Sequence, residues 1–229
     1  MKDCLIFAAG EYPDEVCRFH DFLTEEDWEK EKPFIIACDK GYEFANSLGY
    51  TPDLAIGDFD SLGYVPNNVE VRVHPKEKNE TDLELAIACG LAEGCDYFTV
   101  YGALGGRLDH SIANINLAVR LVNQDKNCVL IGKNESATVI KDGRVNFFGE
   151  KGTRFSVFPL DGDAEGVIII GGKYPLKTAP IEKNQIFGVS NEINDFKEVK
   201  VIVSEGTLLV IMAITNPDDI IAETGNNDV

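Results

Sequence analysis

Short apolar runs separated by segments of helical spacing dominate the first 130 residues. This alternation of strands and helices predicts right-handed crossovers and a mainly parallel sheet flanked by helices, an α/β domain that we place at residues 1–134. The predicted strands are residues 4–9, 34–38, 54–56, 69–73, 97–101 and 129–131. The predicted helices are residues 24–32, 42–48, 81–93 and 107–123.

The pattern changes after Lys133, where short strands with turn residues replace the helical spacing. Asp142-Gly143 and Glu205-Gly206 each stand between two such strands, so both turns predict hairpins. We therefore expect an all-β sandwich domain at residues 135–215 and a polar, mobile tail at residues 216–229. The predicted strands of the sandwich are residues 137–140, 145–148, 153–158, 166–170, 200–203 and 208–214.

The chain of 229 residues is strongly acidic, with a formal net charge of −18 at pH 7. Nucleic acids and anionic membranes both attract basic surfaces, so the charge argues against either partner. A phosphorylated substrate is compatible with the charge, because a bound cation and a few local basic residues override the global field. Six cysteines without a Cys-x-x-Cys pair, and an N-terminal apolar stretch too short for a signal peptide, predict a cytoplasmic protein with reduced thiols.

Two aspartates follow the third predicted strand, which ends at Gly57. Asp58 and Asp60 are alternate residues of an extended chain, so both carboxylates can face one point. Carboxylate oxygens are the ligands that hard cations such as Mg²⁺ prefer. A solvated polar turn is the alternative interpretation, because aspartate and serine are common in turns.

Other predicted strands end in segments of similar chemistry. Asp39 follows the second strand, an acidic segment reaching Asp82 follows the fourth, and a glycine-rich segment from Gly102 to His110 follows the fifth. Ligands of parallel sheets bind outside the C-terminal ends of the strands. We therefore expect these segments to meet at one edge of the sheet.

The glycine-rich segment offers groups that suit phosphate. Gly105 and Gly106 precede a helix, where backbone N–H groups can approach phosphate, and Arg107 supplies a planar fork of donors. Ordinary loop chemistry and a surface arginine are the alternatives. Thr81 fits a helix N-cap, and His110, with no second histidine nearby, favours a hydrogen-bonded structural role.

Four segments, in this order, resemble motifs of bacterial thiamine pyrophosphokinases. They are GDFDS at residues 57–61, NETDLE at 79–84, GALGGRLDH at 102–110 and GVSNE at 188–192. By itself the last segment indicates a plain loop. The resemblance implies an α/β domain followed by a β-sandwich, in a homodimer whose active site lies at the subunit interface. It also implies transfer of a pyrophosphoryl group from ATP to the thiamine hydroxyl, giving thiamine diphosphate and AMP.

The resemblance further implies roles for individual residues. The Mg²⁺ on the triphosphate would be held by Asp58, Asp60 and Asp82. Phosphate would be contacted by Lys78, Arg107 and the backbone of Gly105 and Gly106. The nucleotide pocket would be completed by Asp39, Thr81, Asp109 and His110, and the thiamine pyrimidine would meet Ser190 and Asn191.

The sequence departs from some members of the family at one position. Those members place a tryptophan just after the Ser-Asn pair, where it stacks on the substrate ring. Here Glu192-Ile193-Asn194 follows the pair, and the only tryptophan of the chain is Trp28.

Three alternatives remain open. A pyrophosphokinase for a pterin alcohol would share the acidic edge, and only residues 188–192 favour thiamine over it. A phosphohydrolase with an aspartate nucleophile also carries Asp-x-Asp, but directly after its first strand. A non-catalytic nucleotide-binding protein would be expected to lack one of the three carboxylates, and none is missing here.

Overall fold

The computed structural model describes residues 2–14, 32–75, 80–186, 188–214 and 216–225. These residues belong to two compact units, one of residues 1–114 with 130–133 and one of residues 115–129 with 134–229. Almost all of the helix predicted at residues 24–32 lies outside the described residues, as do Lys78 and Trp28. Within the described part of the chain, no helix has the length and apolar character needed to cross a membrane.

Five strands at the centre of the first unit pair in parallel, in the order β5-β1-β2-β3-β4. The predicted parallel sheet is therefore confirmed. Its middle strands are apolar and almost completely buried, which is typical of strands covered on both faces. The strands are β1 (Asp3–Phe7), β2 (Phe34–Cys38), β3 (Leu54–Gly57), β4 (Glu70–Val73) and β5 (Tyr97–Leu104).

Among the described residues of this half, three helices follow strands. They are α1 (Gly41–Ser47), α2 (Asp82–Ala92) and α3 (Leu108–Val122). Helix α2 packs against β2 and β3, and it buries Leu83, Ala86, Ile87 and Gly90, which recur at helical spacing. The chain then continues through β6 (Asn127–Gly132).

The second unit is built from antiparallel strands around the long strand β9 (Arg154–Ile170). The first part of β9 pairs with β13 and β11, and its last part pairs with β12 and β10. One strand therefore belongs to both ladders, β11-β9-β13-β7 and β10-β9-β12-β8-β14. The other strands are β7 (Ser136–Lys141), β8 (Arg144–Phe148), β10 (Leu176–Ile181), β11 (Gly188–Glu192), β12 (Glu198–Ile202), β13 (Glu205–Met212) and β14 (Ile220–Glu223).

Both predicted hairpins are wrong. Strand β7 pairs with β13 while β8 pairs with β12 and β14, and β12 and β13 are not neighbours. The two turns instead bond to each other: the Asp142 N–H donates to the Gly206 carbonyl (3.1 Å), and the Gly206 N–H donates to Asp142 Oδ1 (2.7 Å). Each turn thus leads the chain from one ladder of the unit to the other.

Three further expectations for this half need correction. The strands predicted at residues 153–158 and 166–170 are parts of the single strand β9, which begins at Arg154, and residues 188–192 form strand β11 instead of a loop. The prediction of a polar tail is wrong for residues 220–223, which form β14 and pair with β8. The physical reason is that Ile220 and Ala222 are both 3% exposed while Ile221 between them is 48% exposed, so one side of this short strand is anchored in the protein.

Candidate active site

A cleft of about 650 Å³ lies at the C-terminal ends of strands in the first unit. It is lined by residues that follow β1, by the ends of β2 and β5, and by the first turn of α2. This is the edge at which the sequence predicted a ligand site. The predicted site residues that line the cleft are Asp39, Thr81, Asp82, Gly105, Gly106, Arg107 and His110.

Asp39 organises the turn that carries the paired aspartates. Its Oδ1 accepts a hydrogen bond from the Phe59 N–H (3.1 Å), and Phe59 is buried with a positive φ of 58°. Gly57 has a φ of 151°, and a Cβ at this position would overlap the Asp39 carboxylate. The turn after β3 is therefore built around the Asp39 side chain, and only glycine leaves room for it at position 57.

The same turn presents Asp58 and Asp60. Asp58 Oδ1 accepts a hydrogen bond from the Asp60 N–H (3.0 Å), which is an Asx turn formed within the pair. Asp58 is half-buried, and Asp60 is exposed. Both follow β3 as the sequence predicted, although neither lines the cleft itself.

Two other carboxylates influence Asp39 at this edge. Burial raises the pKa of Asp39 from 3.8 to about 6, and a hydrogen bond and repulsion from Asp82, together with repulsion from Asp58, act in the same direction. The Phe59 N–H opposes this shift because it stabilises the charged form. Negative charge is therefore concentrated between segments that lie far apart in the sequence.

The donor chemistry of this group suits a hard cation, because carboxylate oxygens are the ligands that Mg²⁺ prefers. In the residues described, however, no three carboxylate, histidine or cysteine side chains are arranged as a metal-binding group. The convergence of Asp58, Asp60 and Asp82 on one ion therefore stays a prediction.

The start of α2 places Asp82 in the cleft. Thr81 is the N-cap, and its hydroxyl accepts a hydrogen bond from the Glu84 N–H (3.1 Å), which confirms the predicted cap. The Cys38 thiol, at the end of β2, contacts the Asp82 carbonyl oxygen (3.6 Å). These contacts fix the first turn of the helix beside the end of the neighbouring strand.

In the glycine-rich segment after β5, Gly105 and Gly106 have the positive φ angles that glycine adopts readily, 91° and 62°. Arg107 follows and pairs with Asp109 through two hydrogen bonds, from Nε (3.1 Å) and from Nη2 (2.5 Å). This pairing lowers the pKa of the exposed Asp109 carboxyl. Asp109 therefore orients the arginine fork and lies outside the cleft lining.

For His110 the residues alone favoured a hydrogen-bonded structural role, and this stays a prediction. Its side chain is exposed and lines the cleft, while its backbone N–H donates to Asp109 Oδ1 (3.0 Å). A ligand in the cleft could therefore reach the imidazole.

The sequence reasoning missed the segment after β1. Ala9, Gly10 and Glu11 line the cleft, and the Glu11 carboxylate lies beside Gly105, where a Cβ would be 3.2 Å from Glu11 Oε2. Ligands of parallel sheets bind outside the C-terminal ends of the strands, and β1 is central in this sheet. The same rule, applied to β1, would have identified this segment.

Comparisons with known proteins agree with this geometry. The model of the thiamin pyrophosphokinase catalytic domain matches residues 25–130, and the model of the thiamin pyrophosphokinase vitamin B1 binding domain matches residues 142–208. A thiamine pyrophosphokinase of Bacillus subtilis (strain 168) is 30% identical over 165 residues, which are 69% of this chain and 77% of the relative. The chain belongs to the thiamin pyrophosphokinase family.

Two solved structures of thiamine pyrophosphokinases resemble the fold. The Bacillus subtilis crystal structure gives a TM-score of 0.74 at 25% identity and covers 92% of this chain and 98% of its own. The yeast enzyme gives a TM-score of 0.67 at 13% identity, covering 95% of this chain and 87% of its own, and shows the likeness of fold alone. This chain is accordingly an enzyme of the thiamine pyrophosphokinase class.

The segment expected to meet thiamine lies in the region matched by the vitamin B1 binding domain. Ser190 is exposed on a bulge of β11 with a positive φ of 59°, and its N–H donates to Ser156 Oγ (3.1 Å). Asn191 is only 5% exposed, and its side-chain amide bonds to the backbone of Tyr174 and Glu192. The two residues predicted to bind thiamine therefore differ, because Ser190 faces solvent and Asn191 does not.

Proposed function

We propose that this thiamine pyrophosphokinase transfers a pyrophosphoryl group from ATP to the hydroxyl of thiamine, with Mg²⁺ as cofactor. The observation that carries the proposal is the cleft in which Asp39 and Asp82, close to Asp58, stand with the glycine-rich segment after β5. Phosphoryl transfer requires positioning and charge neutralisation more than covalent help from the protein. An acidic group beside phosphate-binding backbone supports both requirements.

In this proposal Asp58, Asp60 and Asp82 hold the cation, and the triphosphate supplies its remaining ligands. When bound, the ion neutralises the phosphate oxygens on which charge develops. The chain's own residues position the nucleotide. Lys78, Arg107 and the backbone of Gly105 and Gly106 contact phosphate, Asp109 orients Arg107, and Asp39, Thr81 and His110 complete the pocket.

Thiamine is proposed to bind at the exposed bulge of β11, with Ser190 as its contact. The two matched regions are separate along the chain, which is consistent with a reaction that brings two substrates together. The finer expectations from the sequence stay in the proposal: helices flanking the sheet, a homodimer with the active site at its interface, and a cytoplasmic location.

The test is to incubate the full chain with Mg-ATP, with and without thiamine, and to identify the products. Thiamine-dependent AMP and thiamine diphosphate are expected. ADP would indicate an ordinary kinase and orthophosphate a hydrolase, and either product alone would refute the proposal. A hydroxymethyl pterin in place of thiamine examines the alternative substrate.

The metal assignment has its own test. Asp60→Asn should reduce AMP release by orders of magnitude while circular dichroism and thermal stability stay close to those of the parent protein. Asp161→Asn, at an exposed aspartate of the second unit with positive φ, is the matched control and should retain activity. Near-parental AMP release by the Asp60 variant would show that this carboxylate does not hold the cation.

A further inference from the structure

The side chain of Asn191 is used within the protein. Its Nδ2 donates to the Tyr174 carbonyl (2.8 Å), and its Oδ1 accepts from the N–H groups of Tyr174 (3.0 Å) and Glu192 (2.9 Å). A Cβ on Gly172 would be 2.8 Å from Asn191 Nδ2, so glycine at that position leaves room for the amide. A buried amide with these partners holds a backbone in place and does not bind a ligand from solvent.

The backbone around Tyr174 is fixed along its length. Besides the two bonds to Asn191, the Lys173 N–H donates to the Glu192 carbonyl (2.8 Å), and the Asn194 N–H donates to the Gly171 carbonyl (2.9 Å). The Tyr174 side chain on this backbone is nevertheless 63% exposed. The backbone that carries the Tyr174 ring therefore has little conformational entropy left to lose when a ligand stacks on the ring.

The charges beside the ring indicate which part of thiamine suits it. Lys173 Nζ lies 5.6 Å from the centre of the Tyr174 ring and forms an ion pair with Glu192 (3.0 Å). The ammonium already interacts with the π system, so the cationic thiazolium of thiamine would be repelled there. The neutral aminopyrimidine has no such penalty and can stack.

We propose that Tyr174 supplies the aromatic surface on which the aminopyrimidine of thiamine stacks, and that Asn191 is the positioning residue that holds Tyr174. The inference rests on the proposed function, because thiamine is taken as the second substrate. It assigns the stacking position, which Glu192-Ile193-Asn194 leaves without an aromatic residue, to a different segment of the same unit.

The test measures thiamine affinity by titration calorimetry, with Mg²⁺ and a non-hydrolysable ATP analogue present, together with the KM values for thiamine and Mg-ATP. Tyr174→Ala should raise the Kd and KM for thiamine about tenfold and leave the KM for Mg-ATP unchanged, and Tyr174→Phe should restore the parental values. Phe196→Ala, at an aromatic residue that is 84% exposed in the same unit, is the matched control and should leave both constants unchanged.

Asn191→Ala tests the positioning role. It should weaken thiamine binding in the same direction as Tyr174→Ala without changing the KM for Mg-ATP. A uniform loss of both affinities would instead indicate a general structural defect and would overturn the positioning role.

A thiamine Kd within twofold of the parental value in Tyr174→Ala would overturn the stacking assignment. If the parent protein binds thiamine but releases no AMP, the proposed reaction fails while the affinities still decide the role of Tyr174. If the parent binds no thiamine under these conditions, both proposals are refuted.

Discussion

Asp39→Asn removes one negative charge from the group of carboxylates and changes the size of the side chain very little. Asparagine keeps an oxygen that can accept the hydrogen bond from the Phe59 N–H, now 3.1 Å from Asp39 Oδ1. The turn that carries Asp58 and Asp60 should therefore stay folded, and the main effect should be electrostatic.

The size of the effect follows from the pKa of Asp39, which burial, helped by Asp82 and Asp58, raises from 3.8 to about 6. Because this pKa is higher in the folded than in the unfolded protein, the folded state holds the proton more tightly. The stability gained in this way is fully present below the unfolded pKa of 3.8 and is lost as the pH rises through about 6. The shift corresponds to about 3 kcal/mol, and screening at this half-buried group reduces it to about 1–2 kcal/mol.

The assay is denaturant unfolding of the parent protein and of Asp39→Asn between about pH 4 and pH 8 in metal-free buffer. The two proteins should be equally stable at the acid end, and the variant should be more stable by about 1–2 kcal/mol above pH 7. Asp39→Ala is the matched variant, and it should be less stable than Asp39→Asn by about 1 kcal/mol, because the Phe59 N–H loses its acceptor. A difference between parent and Asp39→Asn that does not change with pH would refute the reasoning.

Three further predictions concern the framework of the cleft. In denaturant unfolding, Gly57→Ala should lower the free energy of unfolding by about 2–4 kcal/mol and Gly63→Ala only by about 1 kcal/mol. Both glycines have positive φ, but only Gly57 abuts a side chain. Equal losses would therefore contradict the proposed overlap. Thr81→Ala should lower the free energy of unfolding by about 1 kcal/mol, and Thr81→Ser should change it little because serine keeps the capping hydroxyl. An equal loss in both variants would show that the helix cap is not the cause of the destabilisation. Arg107→Lys, which loses the planar fork, should raise the KM for Mg-ATP about tenfold without changing that for thiamine, and a parallel rise in both would argue against a phosphate contact.

The first half of the chain could be predicted well because its signals are local. Apolar runs such as residues 34–38 coincide with β2, since a strand covered on both faces is apolar at every position. The position of Asp39 directly after that strand was then enough to place it at the ligand-binding edge. Its pairing with the Phe59 N–H was not predictable, because that contact depends on the conformation of a turn 20 residues away.

The second half was predicted less well because a turn signal does not reveal which strand becomes the neighbour. Asp142-Gly143 suits a hairpin and also suits a turn that crosses between ladders. The choice depends on Gly206, whose N–H binds the Asp142 side chain and which is distant in the sequence. The short strand β14 was missed for a related reason, since two buried apolar residues in a polar segment give a weak signal.

The burial of Asn191 shows the same limit at the level of a single site. Its position in a familiar segment suggested a ligand contact, but the fold places its amide against the backbone of Tyr174. No spacing in the sequence links residues 174 and 191, because their contact arises from the antiparallel bridge between Gly172 and Ile193. The motif thus lies in the region matched by the vitamin B1 binding domain, but it did not reveal that the Asn191 side chain is used within the protein.

The pH dependence of Asp39 also bears on the role of the metal. A cation bound between the carboxylates would replace the proton as the source of positive charge. Excess Mg²⁺ should therefore stabilise the parent protein above pH 6 and reduce the difference in unfolding free energy between it and Asp39→Asn. A stability difference that Mg²⁺ left unchanged would show that no cation binds beside Asp39. The burial of Asp39 and its repulsion by Asp82 and Asp58, which raise the pKa of Asp39, would also favour the proposed cation.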